Sequence, residues 1–128
     1  MVEEARFALD DFELYQAARA YRRHIYEIVR QLPAAERACL DPQMRRAATS
    51  ISNNIAEGHG RWHYKENIQF CRFSRGSIEE VLDDLNLCLD ENYFDATVLE
   101  QLKAEGYALI NRINGYIAYL RKSKQGES

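Results

Sequence analysis

Hydrophobic positions recur along the chain at the three- and four-residue spacing of amphipathic helices, and no segment alternates as a half-buried strand does. One stripe runs through Leu14, Ala18, Tyr21, Ile25, Ile28 and Leu32, and the next through Met44, Ala48, Ile51 and Ile55. Later stripes carry Phe70, Phe73, Ile78, Leu82, Leu85 and Leu89, then Val98, Leu102, Leu109, Ile113, Tyr116, Ile117 and Leu120. The pattern predicts four helices at about residues 11–31, 42–57, 62–92 and 96–121.

Short connections between these helices favour antiparallel neighbours. The predicted fold class is therefore all-α, an up-down-up-down four-helix bundle. A length of 128 residues fits one hydrophobic core, so we expect a single domain over residues 1–128.

Several residues mark the expected helix ends. Pro33 ends the first helix. Asp41 is the expected N-cap of the second helix, with Pro42 at its first position and Gly58 as its stop. Asp95 is the expected N-cap of the fourth helix.

Two glycines fall inside predicted helices. Gly76 and Gly106 each cost a helix up to about 1 kcal/mol relative to alanine. Close approach of a neighbouring helix is the expected compensation, and a bend is the alternative.

A polar seam runs beside the apolar stripe of the second helix: Gln43, Ala47, Ser50, Asn54 and Glu57. An ordinary core helix would carry leucine or valine at such positions. Polar groups beside a core need hydrogen-bond partners, so the seam predicts either a defined network or a subunit contact.

Folding the second and third helices back near Gly60 would bring Asn54 level with Glu66 and Ser50 level with Phe70. We hypothesise that Arg61 bridges the carboxylates of Glu57 and Glu66 at this turn. The predicted structural network comprises Gln43, Arg46, Ser50, Asn54, Glu57, Arg61, Glu66, Arg75 and Ser77.

The net charge of −3 is unevenly distributed. Residues 41–77 carry six cations against three anions, whereas residues 78–105 carry one cation against nine anions. This asymmetry favours contact between copies of the chain, with a solvated charged face as the alternative. It excludes a uniformly basic nucleic-acid binder.

A local basic patch is the candidate for RNA or DNA binding: Arg45, Arg46, Arg61, Lys65, Arg72 and Arg75. Trp62, His63 and Tyr64 would add surfaces on which bases stack. The alternative is that these cations brace carboxylates within or between subunits.

Composition indicates a cytoplasmic protein without a membrane partner. No run approaches the ~20 apolar residues of a membrane span, and the first residues are acidic rather than signal-like. Cys39, Cys71 and Cys88 lack metal-ligand spacing, so we expect buried reduced thiols.

Catalytic signals are weak. His59 and His63 have the spacing of a metal pair only if both lie on one helix, and Gly60 intervenes. The Glu-x-x-His pairs of di-iron bundles are absent from the sequence. Gly58 and Gly60 follow a helix rather than a strand, unlike a phosphate-binding loop. We expect no enzyme activity, no catalytic residue, no metal and no cofactor.

One long motif carries a family resemblance. The stretch Gln43-x-Arg-Arg-Ala-x-x-Ser-Ile-x-x-Asn-Ile-Ala-Glu-Gly-x-Gly-Arg61, followed by Glu66, Phe70 and Arg75-Gly-Ser-x-Glu79, resembles the four-helix bundle family of 23S rRNA intervening-sequence proteins. Phe12-x-Leu-Tyr15 and Pro33-x-x-Glu36 extend the resemblance toward the N-terminus.

The resemblance implies antiparallel helices that assemble as a ring-shaped homopentamer. It also implies a distant similarity in fold to the accessory variability protein of diversity-generating retroelements, which binds a reverse transcriptase and RNA. That protein is strongly basic, whereas this chain is acidic. We therefore expect a non-enzymatic homo-oligomeric interaction, scaffold or accessory protein, whose partners are its own copies and an RNA or a protein. The alternative is an RNA- or DNA-binding accessory protein.

Overall fold

The computed structural model describes residues 8–127, with side chains for residues 8–123. Four helices span α1 (Glu13–Val29), α2 (Leu40–His59), α3 (Tyr64–Asp90) and α4 (Ala96–Glu127). The described residues contain no strand, so the predicted all-α class with four helices is confirmed. Short 3₁₀ turns at Leu9–Asp11 and Ala34–Glu36 precede α1 and α2.

Side-chain hydrogen bonds establish that consecutive helices are antiparallel. Arg22 and Tyr26 of α1 bond to Ser52 and Thr49 of α2, respectively. Residue numbers therefore increase along α1 in the direction in which they decrease along α2. The α2–α3 interface is the most extensive, and the α1–α4 interface closes the bundle with the least contact.

Both predicted ends of α2 are wrong. The helix begins at Leu40, so Asp41 lies within its first turn and accepts a hydrogen bond from Arg45 Nε (2.7 Å) instead of capping the helix. Leu40 is buried and extends the apolar stripe by one turn, which accounts for the earlier start. At the other end α2 continues through Gly58 to His59, and Gly60 follows with helical dihedral angles.

The ends of α3 and α4 follow standard capping chemistry. Asp95 Oδ1 accepts a hydrogen bond from the Thr97 amide (3.1 Å), which confirms the predicted N-cap of α4. Asn92 adopts a left-handed conformation (φ 57°) after α3. The Tyr93 amide bonds to the Cys88 carbonyl and the Asn92 amide to the Leu89 carbonyl, which is a Schellman motif.

The apolar stripes of all four helices meet in one core. Its largest fully buried side chains include Tyr21, Ile25, Met44, Ile51, Ile55, Ile78, Leu85, Leu99 and Ile113. Three predicted stripe residues lie outside it, since Phe73 is 49% exposed, Val98 is 44% exposed and Phe70 is only half-buried at its edge. Phe73 lies on the outer face of α3.

The glycines differ in their surroundings. A Cβ at Gly106 would lie 2.6 Å from the Tyr21 hydroxyl oxygen, so the predicted close approach is confirmed there. At Gly76 nothing lies within 4 Å, so no helix of the same subunit makes the predicted close approach there. Gly58, which we expected to stop α2, is instead a contact glycine, because its Cβ would lie 2.5 Å from Asn67 Oδ1.

Substituting Gly106 with alanine is expected to destabilise the fold, because Tyr21 is fully buried and cannot move aside. Overpacking should lower the free energy of unfolding by about 1–3 kcal/mol. Gly115→Ala, in the same helix but in open space, should raise it by up to about 1 kcal/mol. Urea unfolding at one protein concentration measures both, and a stabilised Gly106→Ala variant would contradict the contact.

Candidate functional site

Hydrogen-bonded small side chains join α2 to α3. Ser74 Oγ donates to the Ile51 carbonyl (2.8 Å), and Ser77 Oγ donates to Ser50 Oγ (2.8 Å). Asn54 Nδ2 donates to both the carbonyl and the hydroxyl oxygen of Ser50 (2.8 and 2.9 Å). These groups satisfy one another while allowing the two backbones to approach closely.

The register of this interface differs from the predicted one. Ser50 lies opposite Ser77 rather than Phe70, a shift of about two helical turns along α3. Since α2 continues to His59 and α3 begins only at Tyr64, the turn lies later in the sequence than Gly60.

The next polar pair along the same interface joins Gln43 to Asp84. Gln43 Nε2 donates to Asp84 Oδ1 (2.6 Å), whereas the buried Oδ2 has no partner among the described residues. Burial raises the pKa of Asp84, the nearby carboxylates of Asp83 and Glu80 add to the effect, and the hydrogen bond from Gln43 opposes it.

The contact between Asp84 and Gln43 was not predicted from the sequence, although the spacing of residues along the two helices indicated it. Gln43 precedes Ser50 by the same seven residues by which Asp84 follows Ser77. In an antiparallel pair, a contact at Ser50–Ser77 therefore implies one at Gln43–Asp84. The incorrect register concealed it.

At the α2–α3 turn, Arg61 Nη2 donates to Glu57 Oε2 (2.9 Å), and its guanidinium lies 4.9 Å from the centroid of the Phe70 ring. Glu66 forms no ion pair with Arg61, so the hypothesised double bridge is half wrong. The aromatic face of Phe70 takes the place expected for the second carboxylate.

The remaining residues of the predicted network lie apart. Arg75 Nη1 donates to Asn114 Oδ1 of α4 (2.6 Å), so it braces α3 against α4 rather than α2. Arg46 and Glu66 are exposed and bond to no other described residue. The predicted network is thus divided: Ser50, Asn54 and Ser77 bond together at the α2–α3 interface, and the other members lie in separate places.

The predicted basic patch is also divided. Arg45 lies on the α1 side of α2, paired with Asp41 and 4.9 Å from the centroid of the Tyr26 ring. Lys65 and Arg72 line a shallow groove of about 650 Å³ at the hairpin end. The other residues along this groove are Trp62, His63, Tyr64, Glu66 and Gln69.

A second basic surface, which sequence reasoning missed, lies between α1 and α2. Two adjoining depressions share Tyr26 and Thr49 and are lined by Arg22, Arg23, Arg30, Arg45 and Arg46. We call this surface the arginine groove. Arg22, Arg23 and Arg30 precede residues 41–77, so the charge count over that window did not include them.

Two of the histidines contact other side chains of the bundle. His24 Nδ1 lies 2.8 Å from Glu105 Oε1 and joins α1 to α4, and the His59 ring is centred 5.2 Å from that of Phe12. Within residues 8–123, no three His, Cys, Asp or Glu side chains are grouped as a metal site.

Two of the three cysteines match the expected burial. Cys71 and Cys88 are buried and free, and burial raises the pKa of each thiol to about 11. Cys39 is exposed at the start of α2, so the prediction of burial is wrong there. None of the described helices is long and apolar enough to cross a membrane.

Replacing Asp84 with asparagine tests its burial, because the amide retains an oxygen for Gln43 and removes the charge. The folded-state pKa lies above the ordinary 3.8, so ionisation destabilises the fold as the pH rises through the raised pKa. We expect Asp84→Asn to unfold at higher urea than the wild type at pH 7, and the difference to vanish below about pH 3.8. Asp90→Asn, which alters an exposed carboxylate of the same helix, is the control, and a difference that does not change with pH would refute the assignment.

Comparisons with known proteins agree with this architecture. A protein of unknown function from the S23 ribosomal protein family of Bacteroides thetaiotaomicron shares the fold, with a TM-score of 0.76 and 16% identity over 81% of this chain and 97% of that one. No curated protein matches the chain. The family model described as 23S rRNA-intervening sequence protein matches residues 10–115, which is most of the chain. The chain therefore belongs to the 23S rRNA-intervening sequence protein family.

Proposed function

We propose that this chain is a non-enzymatic interaction protein of the cytoplasm that assembles into a homo-oligomer, a ring-shaped pentamer, and serves as a scaffold or accessory subunit. The observation that carries the proposal is the outer face of α3. Phe73 is 49% exposed and Leu87 is 40% exposed, and their spacing of four turns places them on one side of the helix. A contact with another subunit would bury both.

Gly76 supports the same surface. It lies one turn from Phe73, with nothing within 4 Å of a Cβ at that position. A mid-helix glycine costs up to about 1 kcal/mol relative to alanine, and no contact within the subunit offsets that cost. A neighbouring subunit could approach the bare backbone here more closely than beside a larger residue.

Exposed polar residues of α3 lie between Phe73 and Leu87, as expected where an apolar contact has a polar rim. Aromatic residues and arginine are enriched where proteins associate, and the interface rim is polar.

The free thiols of Cys71 and Cys88 are consistent with a reducing compartment such as the proposed cytoplasm.

Light scattering after size exclusion should give a mass several times that of the 14.9 kDa chain. Phe73→Ser combined with Leu87→Ser should lower that mass, because the substitutions remove the apolar contact. Tyr107→Ser combined with Tyr119→Ser, which alters two exposed aromatic residues of α4, is the matched control. A wild-type protein that remains a monomer at micromolar concentration would end the proposal.

A second candidate function, RNA binding, has one specific observation in its favour. The hairpin-end groove combines the cations Lys65 and Arg72 with Trp62, which is 51% exposed. Cations beside aromatic faces are the usual means of holding single strands. The net charge of −3 weighs against tight binding.

We expect weak RNA binding that falls steeply between low and physiological salt, because phosphate contacts dominate it. Lys65→Gln with Arg72→Gln should reduce the slope of log affinity against log salt by about 1.4 for a single strand. Arg112→Gln, an exposed α4 cation, is the control. Submicromolar, sequence-selective binding at physiological salt would instead make RNA binding the primary function.

A further inference from the structure

The arginine groove carries positive charge that its own subunit leaves largely unneutralised. Arg23, Arg30 and Arg46 are exposed and form no hydrogen bond or ion pair with another described residue. Arg22 is held by Ser52, and Arg45 by Asp41 and the Tyr26 ring. The groove therefore presents ordered guanidinium groups beside unpaired ones.

The outer side of α3 carries the opposite charge. Glu79, Glu80 and Asp83 are exposed and form no ion pair with any described residue. We call these three residues the acidic stripe. It lies between Phe73 and Leu87 along the same helix, so apolar and acidic groups are combined on one outward surface.

The two surfaces lie at the same height along the bundle. The pairs Gln43–Asp84 and Ser50–Ser77 place Arg46 of α2 level with the part of α3 that holds the stripe. The Tyr26–Thr49 bond places Arg30 of α1 one turn further down, near the level of Arg45. Two copies lying side by side with parallel axes would thus bring opposite charges to one level.

We propose that the arginine groove of one copy receives the α3 face of a second copy, with Arg30 and Arg46 contacting the acidic stripe. The proposal rests on the proposed homo-oligomer and names the two surfaces that form it. Because these surfaces differ, the contact is heterologous, and a finite oligomer requires it to close into a ring. Phe73 and Leu87 would be buried along the edges of the same contact.

A second copy is a better occupant of the groove than a nucleic-acid strand. Both charged partners are present on this chain and match in height along the bundle. The acidic stripe would repel such a strand elsewhere on the surface.

Reversing the charges tests the pairing directly. The groove variant carries Arg30→Glu and Arg46→Glu, and the stripe variant carries Glu80→Arg and Asp83→Arg. Alone, the first variant has acidic groups on both surfaces and the second has arginines on both. Each should therefore give a lower mass by light scattering than the wild type. Arg112→Glu is the control for a change of charge on α4.

Combining all four substitutions in one chain should restore the oligomer, since the acidic groove of each copy then meets the basic α3 face of the next in a ring of any number of subunits. Misfolded chains would not show this rescue, and circular dichroism checks the fold of each variant alone. A monomeric wild type would overturn the proposed function itself. An oligomeric wild type whose mass neither variant lowers would overturn only this pairing, as would a chain with all four substitutions that stays at the lower mass. Loss of binding to a single-stranded RNA probe by the groove variant at unchanged mass would assign the groove to phosphate instead.

Discussion

The close approach of α2 and α3 is the constraint on which the rest of the structure depends. Gly58 leaves no room for a side chain beside Asn67, and the hydroxyls of Ser50, Ser74 and Ser77 take hydrogen bonds across the interface. This geometry sets the register of the hairpin. The register in turn places Gln43 against Asp84 and aligns the charged surfaces of the two helices.

The sequence was sufficient for the fold class, because hydrophobic periodicity identifies helices and short connections determine their direction. It was not sufficient for the register. A glycine near the end of a helix can stop it or allow a contact, and the sequence alone does not distinguish Gly58 from Gly60. The error moved every predicted α2–α3 pair by about two turns and concealed Asp84.

The candidate site was harder to predict than the core for a related reason. Arg45 and Lys65 belong to one basic segment of sequence but lie on different surfaces. Conversely, Arg22 and Arg46 are distant in sequence and line the same groove. Charge counted along the chain therefore shows that an asymmetry exists, and only the packing of α1 on α2 shows where it lies.

The closure of the bundle between α1 and α4 has a consequence for how the protein opens. This edge has the least helix–helix contact, and its polar link, His24 to Glu105, is exposed to water. Cooperative units with few buried contacts open at lower free energy than the global unfolding transition. We therefore expect α4 to separate from α1 more easily than α2 separates from α3, so that amide hydrogens of the α2–α3 hairpin exchange more slowly.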